Sequence, residues 1–170
     1  FRGKSRGGLY GDVVEEFDYE TGRLLDALEE LGLSKNTLVI YTSDNGPWNQ
    51  DKYTKNKKGH PKGSIFWGSS GPLRNGKGSC YEGGYRLPCI VRWPGKVPAG
   101  RESDAVLATI DFMPTFAKLS DFKIPADRVI DGIDQTDLLL GKSETGRETF
   151  YFDRAGIRKG KWKYLLPKAH

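Results

Sequence analysis

The sequence predicts an α/β fold: part of a mixed, largely parallel sheet flanked by helices, followed by a small antiparallel α+β subdomain. Three observations predict it. A long amphipathic stretch opens the chain, two short apolar runs without alternation follow, and past residue 126 the texture changes to brief segments between tight turns. Unalternating apolar runs suit strands buried on both faces, and short segments around turns suit a meander. The order helix, strand, long loop, strand, helix, small strands is that of an α/β layer with an appendage. We place the division at 1–125 and 126–170.

The opening helix rests on Leu9, Val13, Phe17, Leu24, Leu28 and Leu31 at helical spacing, with Asp12, Glu15, Glu16, Glu20, Arg23, Glu29 and Glu30 on the other side. Gly32 ends it, where a left-handed residue is cheap. After the turn Ser34-Lys35-Asn36, the run Thr37-Leu38-Val39-Ile40-Tyr41 reads as a buried strand. Residues 43–84 read almost entirely as loop, with glycines at 46, 59, 63, 68, 71, 76, 78, 83 and 84. A loop this long inside a compact domain normally carries function. Pro88 to Trp93 is the second strand, closed by Pro94-Gly95. Residues 106–120 read as strand into helix, with Asp111 as N-cap and Pro114 in the first turn. Phe150 to Phe152, Ala155 to Arg158 and Lys161 to Leu166 supply the meander.

Composition narrows the function. The chain has 170 residues with 27 Lys+Arg against 22 Asp+Glu, a net charge of +5, and its 12% aromatic content argues against global disorder. No apolar run reaches the roughly 18 residues of a membrane span. Two cysteines, Cys80 and Cys89, are too few for a disulfide-built fold or a thiolate zinc site. No charged-then-apolar leader precedes the fold, so a signal peptide would lie upstream of Phe1 or have been removed. The excess charge concentrates at Lys52, Lys55, Lys57, Lys58, His60 and Lys62, opposed by Asp51 alone. That cluster is either a solvated loop or a patch for a polyanion, a charged polysaccharide or nucleic acid. Only Tyr53 is interleaved, which gives no base-stacking platform and argues against nucleic acid.

Ligands of open α/β sheets bind beyond the carboxyl ends of the strands. The first strand delivers Ser43-Asp44-Asn45-Gly46 to that place. A carboxylate beside an amide oxygen suits a hard cation such as Ca²⁺ or Mg²⁺, with further ligands from elsewhere; on spacing alone the same residues also make a common turn. The second element is Leu73-Arg74-Asn75-Gly76-Lys77-Gly78-Ser79. Glycines on both sides leave the Lys77 ammonium unshielded, a point charge able to hold a tetrahedral oxyanion. It is not a Walker loop, because the spacing differs, and a mobile glycine loop with a surface lysine is the plainer alternative.

Taken together and in order, these stretches resemble the sulfatase family, the arylsulfatase type within the alkaline phosphatase superfamily. The matching segments are Gly11-Asp12 with Asp18, Thr37 to Gly46, Gly76-Lys77-Gly78-Ser79-Cys80-Tyr81-Glu82-Gly83-Gly84-Tyr85-Arg86-Leu87-Pro88, Trp93-Pro94-Gly95, Asp111 to Thr115, Asp131 to Asp134 with Leu138 to Gly141, and Arg158 to Tyr164. The resemblance covers nearly the whole chain. It implies hydrolysis of sulfate esters, with Asp44 and Asn45 as two ligands of an active-site Ca²⁺ and Lys77 gripping the sulfate group. Glu82 and Arg86 are implied as scaffolding for the Lys77 loop. His60 and Arg86 are the candidate substrate contacts, Arg86 being equally suited to a structural ion pair. The lysine cluster, with Trp48, Tyr53, Phe66 and Trp67, suggests a sulfated glycan substrate. Family members are usually exported, which would permit a Cys80–Cys89 bridge; two unpaired thiols are the alternative.

The family nucleophile is a formylglycine made from Cys or Ser within Cys/Ser-x-Pro-x-Arg. Neither Cys80 nor Cys89 stands in such a motif, and the family's opening pair of aspartates is missing. The resemblance therefore implies the C-terminal half of a catalytic domain plus the start of its small subdomain, with the nucleophile upstream and this chain inactive alone. A phosphatase, phosphodiesterase or phosphonate hydrolase of the same superfamily is one alternative, since a cation and a lysine serve either oxyanion. A non-catalytic polyanion-binding module is the other.

Overall fold

The computed structural model describes residues 1–48, 68–153 and 155–167. The chain divides into two compact units, Phe1–Ile90 and Val91–Pro167.

In the first unit the expected helix is α1, Gly8–Glu30. Its C-terminus closes as the glycine predicts: Gly32 takes φ 68°, its N–H reaches Glu29 O at 2.9 Å, and Leu33 N–H reaches Leu28 O at 2.8 Å. That pair of bonds is a Schellman cap, which satisfies carbonyls the helix leaves open. At the other end the buried Asp12 carboxylate accepts the N–H groups of Gly3 (2.7 Å) and Ser5 (2.8 Å), folding the leading residues back onto the helix. These backbone donors, Ser5 first and then Gly3, hold its carboxyl below the ordinary carboxylate range. The apolar positions Leu9, Val13, Phe17 and Leu24 are each more than half exposed. The stripe that defines the helix is thus largely uncovered, touching Tyr41 through the edge of Phe17 at 5.9 Å.

Strand β1 is Val39–Thr42, two residues later than the apolar run begins. The delay has a local cause, since Thr37 Oγ1 donates to Leu33 O at 2.9 Å and ties that residue to the 3₁₀ turn Ser34–Asn36. A four-residue helix, α2 (Glu82–Tyr85), interrupts what the sequence reads as loop. Strand β2, Cys89–Arg92, pairs with β1 in a two-stranded sheet, and Thr42 Oγ1 donates to Pro88 O at 2.9 Å. The described residues do not assemble the mixed, largely parallel sheet expected above. Two strands cannot supply the neighbours that inner strands require, so α/β is shown with small sheets only. No disulfide joins Cys80 and Cys89.

The second unit contains α3 (Phe112–Leu119) after a 3₁₀ turn at Thr109–Asp111, α4 (Thr136–Leu139), and the meander β3 (Thr149–Phe152), β4 (Gly156–Lys159) and β5 (Trp162–Leu165). The meander is antiparallel with Tyr151 opposite Ile157 and Ile157 opposite Tyr164. Residues 106–108 are not a strand; Val106 O accepts a backbone bond from Arg147 N at 2.7 Å, without a ladder to extend it. Asp111 does sit at the N-cap of α3, but its fully buried carboxylate serves other groups. It accepts Ala108 N–H (3.0 Å), Ile133 N–H (2.9 Å) and both Nε (3.1 Å) and Nη2 of Arg147. Burial by itself raises such a carboxyl; the Arg147 guanidinium and the two N–H groups outweigh it and hold Asp111 below the ordinary range. Thr115 joins the same network, donating to Asp111 O at 2.6 Å and accepting Gln135 N–H at 2.9 Å. The buried apolar side chains among the described residues are Ala117, Leu138, Leu139 and Phe152.

Candidate active site

The predicted metal and lysine elements lie in the first unit, and short backbone bonds bring them together. Asp44 and Asn45 follow directly on β1, Asp44 exposed and Asn45 half-buried. Ser43 Oγ lies 3.4 Å from Asp44 Oδ1 and 3.1 Å from Asn45 O, so this hydroxyl bridges the turn. The next residue, Gly46, donates its N–H to Gly84 O at 2.9 Å, and Pro47 O accepts the N–H of Lys77 itself at 2.9 Å. Gly83 N–H reaches Arg74 O at 2.9 Å, tying α2 to the start of the lysine loop. Three segments distant in sequence thus share one floor of backbone.

That floor is why glycine is required there. A Cβ on Gly46 would collide with Gly83 O, one on Gly83 with Arg74 O and Asn75 O, and one on Gly84 with Ser79 O and Gly76 O. Only a residue without a side chain allows the strands of this floor to approach so closely. The Glu82-Gly83-Gly84-Tyr85-Arg86 segment therefore supports the Lys77 loop through its two glycines. Arg86 ends α2, its own N–H bonded to Glu82 O at 2.7 Å, and its side chain is exposed. His60 and the lysine cluster at 52–62 lie outside the described residues, as do Tyr53, Phe66 and Trp67.

The loop carrying Lys77 is itself held in shape. Asn75 adopts φ 59° and Gly78 φ 83°, left-handed conformations on either side of the lysine. Ser79 Oγ donates to Gly76 O at 2.8 Å, and Ser70 Oγ faces Asn75 O at 2.7 Å and Leu73 O at 3.0 Å. At the stem, the Arg74 guanidinium stacks on the Tyr81 ring, 3.9 Å from its centroid. Lys77 projects from this frame with an exposed side chain.

Sequence reasoning missed one pattern. Ser70-Gly71-Pro72-Leu73-Arg74 fits Ser-x-Pro-x-Arg letter for letter, so the letters of the serine form of the motif do occur within these residues, contrary to the expectation that the motif lies wholly upstream. The geometry gives the match a different job. Ser70 Oγ is engaged with two carbonyls of its own turn, and Arg74 with Tyr81, so these residues shape the lysine loop. Among the described residues no three His, Cys, Asp or Glu gather as a metal site. Asp44 and Asn45 are hard oxygen donors that fit a cation such as Ca²⁺ but cannot complete its shell of 6–8 oxygens.

Comparison with known proteins gives a consistent answer. The Sulfatase family profile matches residues 5–122. Steryl-sulfatase of Mus musculus is 43% identical over 152 residues, covering 89% of this chain and 23% of that protein. N-acetylgalactosamine-6-O-sulfatase of Bacteroides thetaiotaomicron is 37% identical over 175 residues, covering 98% of this chain and 33% of that enzyme. A solved structure from work on the metabolism of multiple glycosaminoglycans by Bacteroides thetaiotaomicron superposes with a TM-score of 0.79 at 37% identity, over 98% of this chain and 35% of the other. The chain therefore spans between 23% and 35% of the length of these relatives.

Proposed function

The chain belongs to the sulfatase family, and on that premise we propose that it serves the hydrolysis of sulfate esters, those of sulfated glycans included. The observation that carries the proposal is the pair of backbone bonds, Gly46 N–H to Gly84 O and Lys77 N–H to Pro47 O, both 2.9 Å. Through them the backbone that carries Asp44 and Asn45 and the backbone that carries Lys77 belong to one element. Rigid placement of charge where charge develops is worth more than the same charge on a free loop, because nothing has to reorganise during reaction.

In this reading Asp44 and Asn45 contribute two oxygens to a Ca²⁺, whose role when bound is to offset negative charge on the transferring group and orient the nucleophile. Lys77 Nζ holds a sulfate oxygen, and the exposed Arg86 is a substrate contact or a support for α2. The nucleophile is proposed to be a formylglycine contributed by residues outside these 170, since Ser70 is occupied in its turn. It follows that these residues alone do not turn over sulfate esters. In the intact protein β1 and β2 are proposed to lie within a larger, mainly parallel sheet that also covers the apolar stripe of α1. An exported location accompanies this reading, by the same resemblance.

The test compares hydrolysis of a chromogenic aryl sulfate and the matching aryl phosphate by intact protein, with Lys77→Ala and Asp44→Ala as controls. Sulfate turnover lost by about 10²-fold or more in each variant is expected, from the typical worth of a preorganised group at the reacting oxyanion. Turnover of phosphate in preference to sulfate would favour the phosphohydrolase alternative. Calcium titration of intact Asp44→Ala, followed by calorimetry, checks the metal separately: weakened binding is expected.

A further inference from the structure

We infer that the Arg74–Tyr81 stack is a positioning device for Lys77, a role that rests on the reading of Lys77 as the sulfate-holding lysine and goes one layer beyond it. The Lys77 loop is fixed from below by its backbone: Lys77 N–H on Pro47 O, Gly83 N–H on Arg74 O, and Ser70 Oγ on Asn75 O. Those bonds hold the floor and one flank. The two residues that bound the loop, Arg74 and Tyr81, lie seven positions apart in sequence, yet the guanidinium carbon sits 3.9 Å from the ring centroid. A planar cation over an aromatic face is attractive and orientation-specific. It closes the stem at the side-chain level, where the backbone bonds do not reach.

The consequence is geometric. Residues 75–80 can move as a flap only if the stem opens, and Lys77 is at the tip between two left-handed residues, Asn75 and Gly78. A lysine on four rotatable bonds already has a wide reach; fixing its Cα is what confines the ammonium to one region. A shift on the order of 1 Å at a reacting group can cost about 10²-fold in rate.

The test uses the intact protein with Tyr81→Leu, Arg74→Met and Tyr81→Phe, each alone and combined with Lys77→Ala, scored on aryl sulfate hydrolysis. Tyr81→Leu and Arg74→Met are expected to lower kcat/KM at least about tenfold, chiefly through kcat, because the interaction lost is strongest in the transition state. Tyr81→Phe, which keeps the ring face, is expected to restore activity. Combined with Lys77→Ala, the stem variants are expected to add nothing further, since residues acting as one unit are non-additive. Full additivity, or a stem variant within twofold of the parent, overturns the positioning role while leaving Lys77 intact as the sulfate-holding residue. If Lys77→Ala alone is silent, the reading of Lys77 fails and the positioning role with it, a distinct outcome. Amide exchange over residues 72–82 gives a readout independent of turnover. Exchange faster by tenfold or more in Tyr81→Leu at unchanged thermal midpoint is expected, and unchanged exchange overturns the proposal. Should Tyr81→Leu fail to fold, Arg74→Met, which leaves the ring in place, carries both measurements.

Discussion

Replacing Arg147 by methionine tests the best-defined polar network in the molecule. Asp111 is fully buried and accepts four hydrogen bonds, two of them from Arg147. Arg147→Met keeps much of the side-chain volume and removes both guanidinium donors. It also frees Asp131 O, which accepts Arg147 Nη2 at 2.8 Å. Removing one partner of a buried ion pair leaves an uncompensated charge and costs about 3–5 kcal/mol. For a unit the size of Val91–Pro167, each kcal/mol moves the midpoint by about 4–8 °C, so a fall of about 12 °C or more is expected. The double variant Asp111→Leu/Arg147→Met does not recover this loss, because the N–H groups of Ala108 and Ile133 are then buried without an acceptor, at about 1–3 kcal/mol each. The pH dependence follows from the sign of the shift. The folded Asp111 carboxyl titrates below its unfolded value of about 3.9, so its contribution is complete above that pH and is lost as pH falls through the lower folded value. The gap between parent and variant therefore narrows in acid. Differential scanning calorimetry from pH 7 down to pH 3 measures it. A midpoint fall under about 3 °C at pH 7 would refute the reasoning, since it would mean the carboxylate is solvated and not dependent on Arg147.

Gly46→Ala is expected to push the Asp44 turn away from α2, because its Cβ meets Gly83 O; activity of the intact protein should fall with calcium affinity, measured together by kinetics and calorimetry. Gly84→Ala, whose Cβ meets Ser79 O and Gly76 O, should displace the lysine loop and lower kcat of the intact protein, measured by steady-state kinetics. Asp12→Ala removes the acceptor for Gly3 and Ser5, so amide exchange over residues 1–7 should rise while the exchange of α1 beyond its first turn stays as before. Because backbone donors hold the Asp12 carboxyl below its ordinary range, the same clasp should be present at neutral pH and open only in acid, below the usual carboxylate titration.

Local chemistry was legible wherever neighbours in sequence decide it. The 3.6-residue spacing of Leu9, Val13 and Phe17 gave α1, and Gly32 gave its Schellman cap, because both depend only on contacts within two turns. The meander of β3, β4 and β5 was readable for the same reason, its strands being joined by tight turns. The family was legible too, since several ordered motifs stand in one chain. What sequence could not decide was which distant groups meet. Asp111 reads as an ordinary N-cap, yet its carboxylate belongs to Arg147, 36 residues on, and to Ile133. Thr37 reads as strand but is claimed by the turn before it. Gly46, Gly83 and Gly84 read as loop punctuation, and their purpose appears only when backbone from three segments converges on the space a Cβ would fill. Ser70-Gly71-Pro72-Leu73-Arg74 carries the letters of a nucleophile motif and is, in three dimensions, the support of a lysine loop. Spacing along the chain fixes what a residue offers; only the tertiary arrangement fixes what it is offered to, because the partner's position is set by packing that no local pattern encodes.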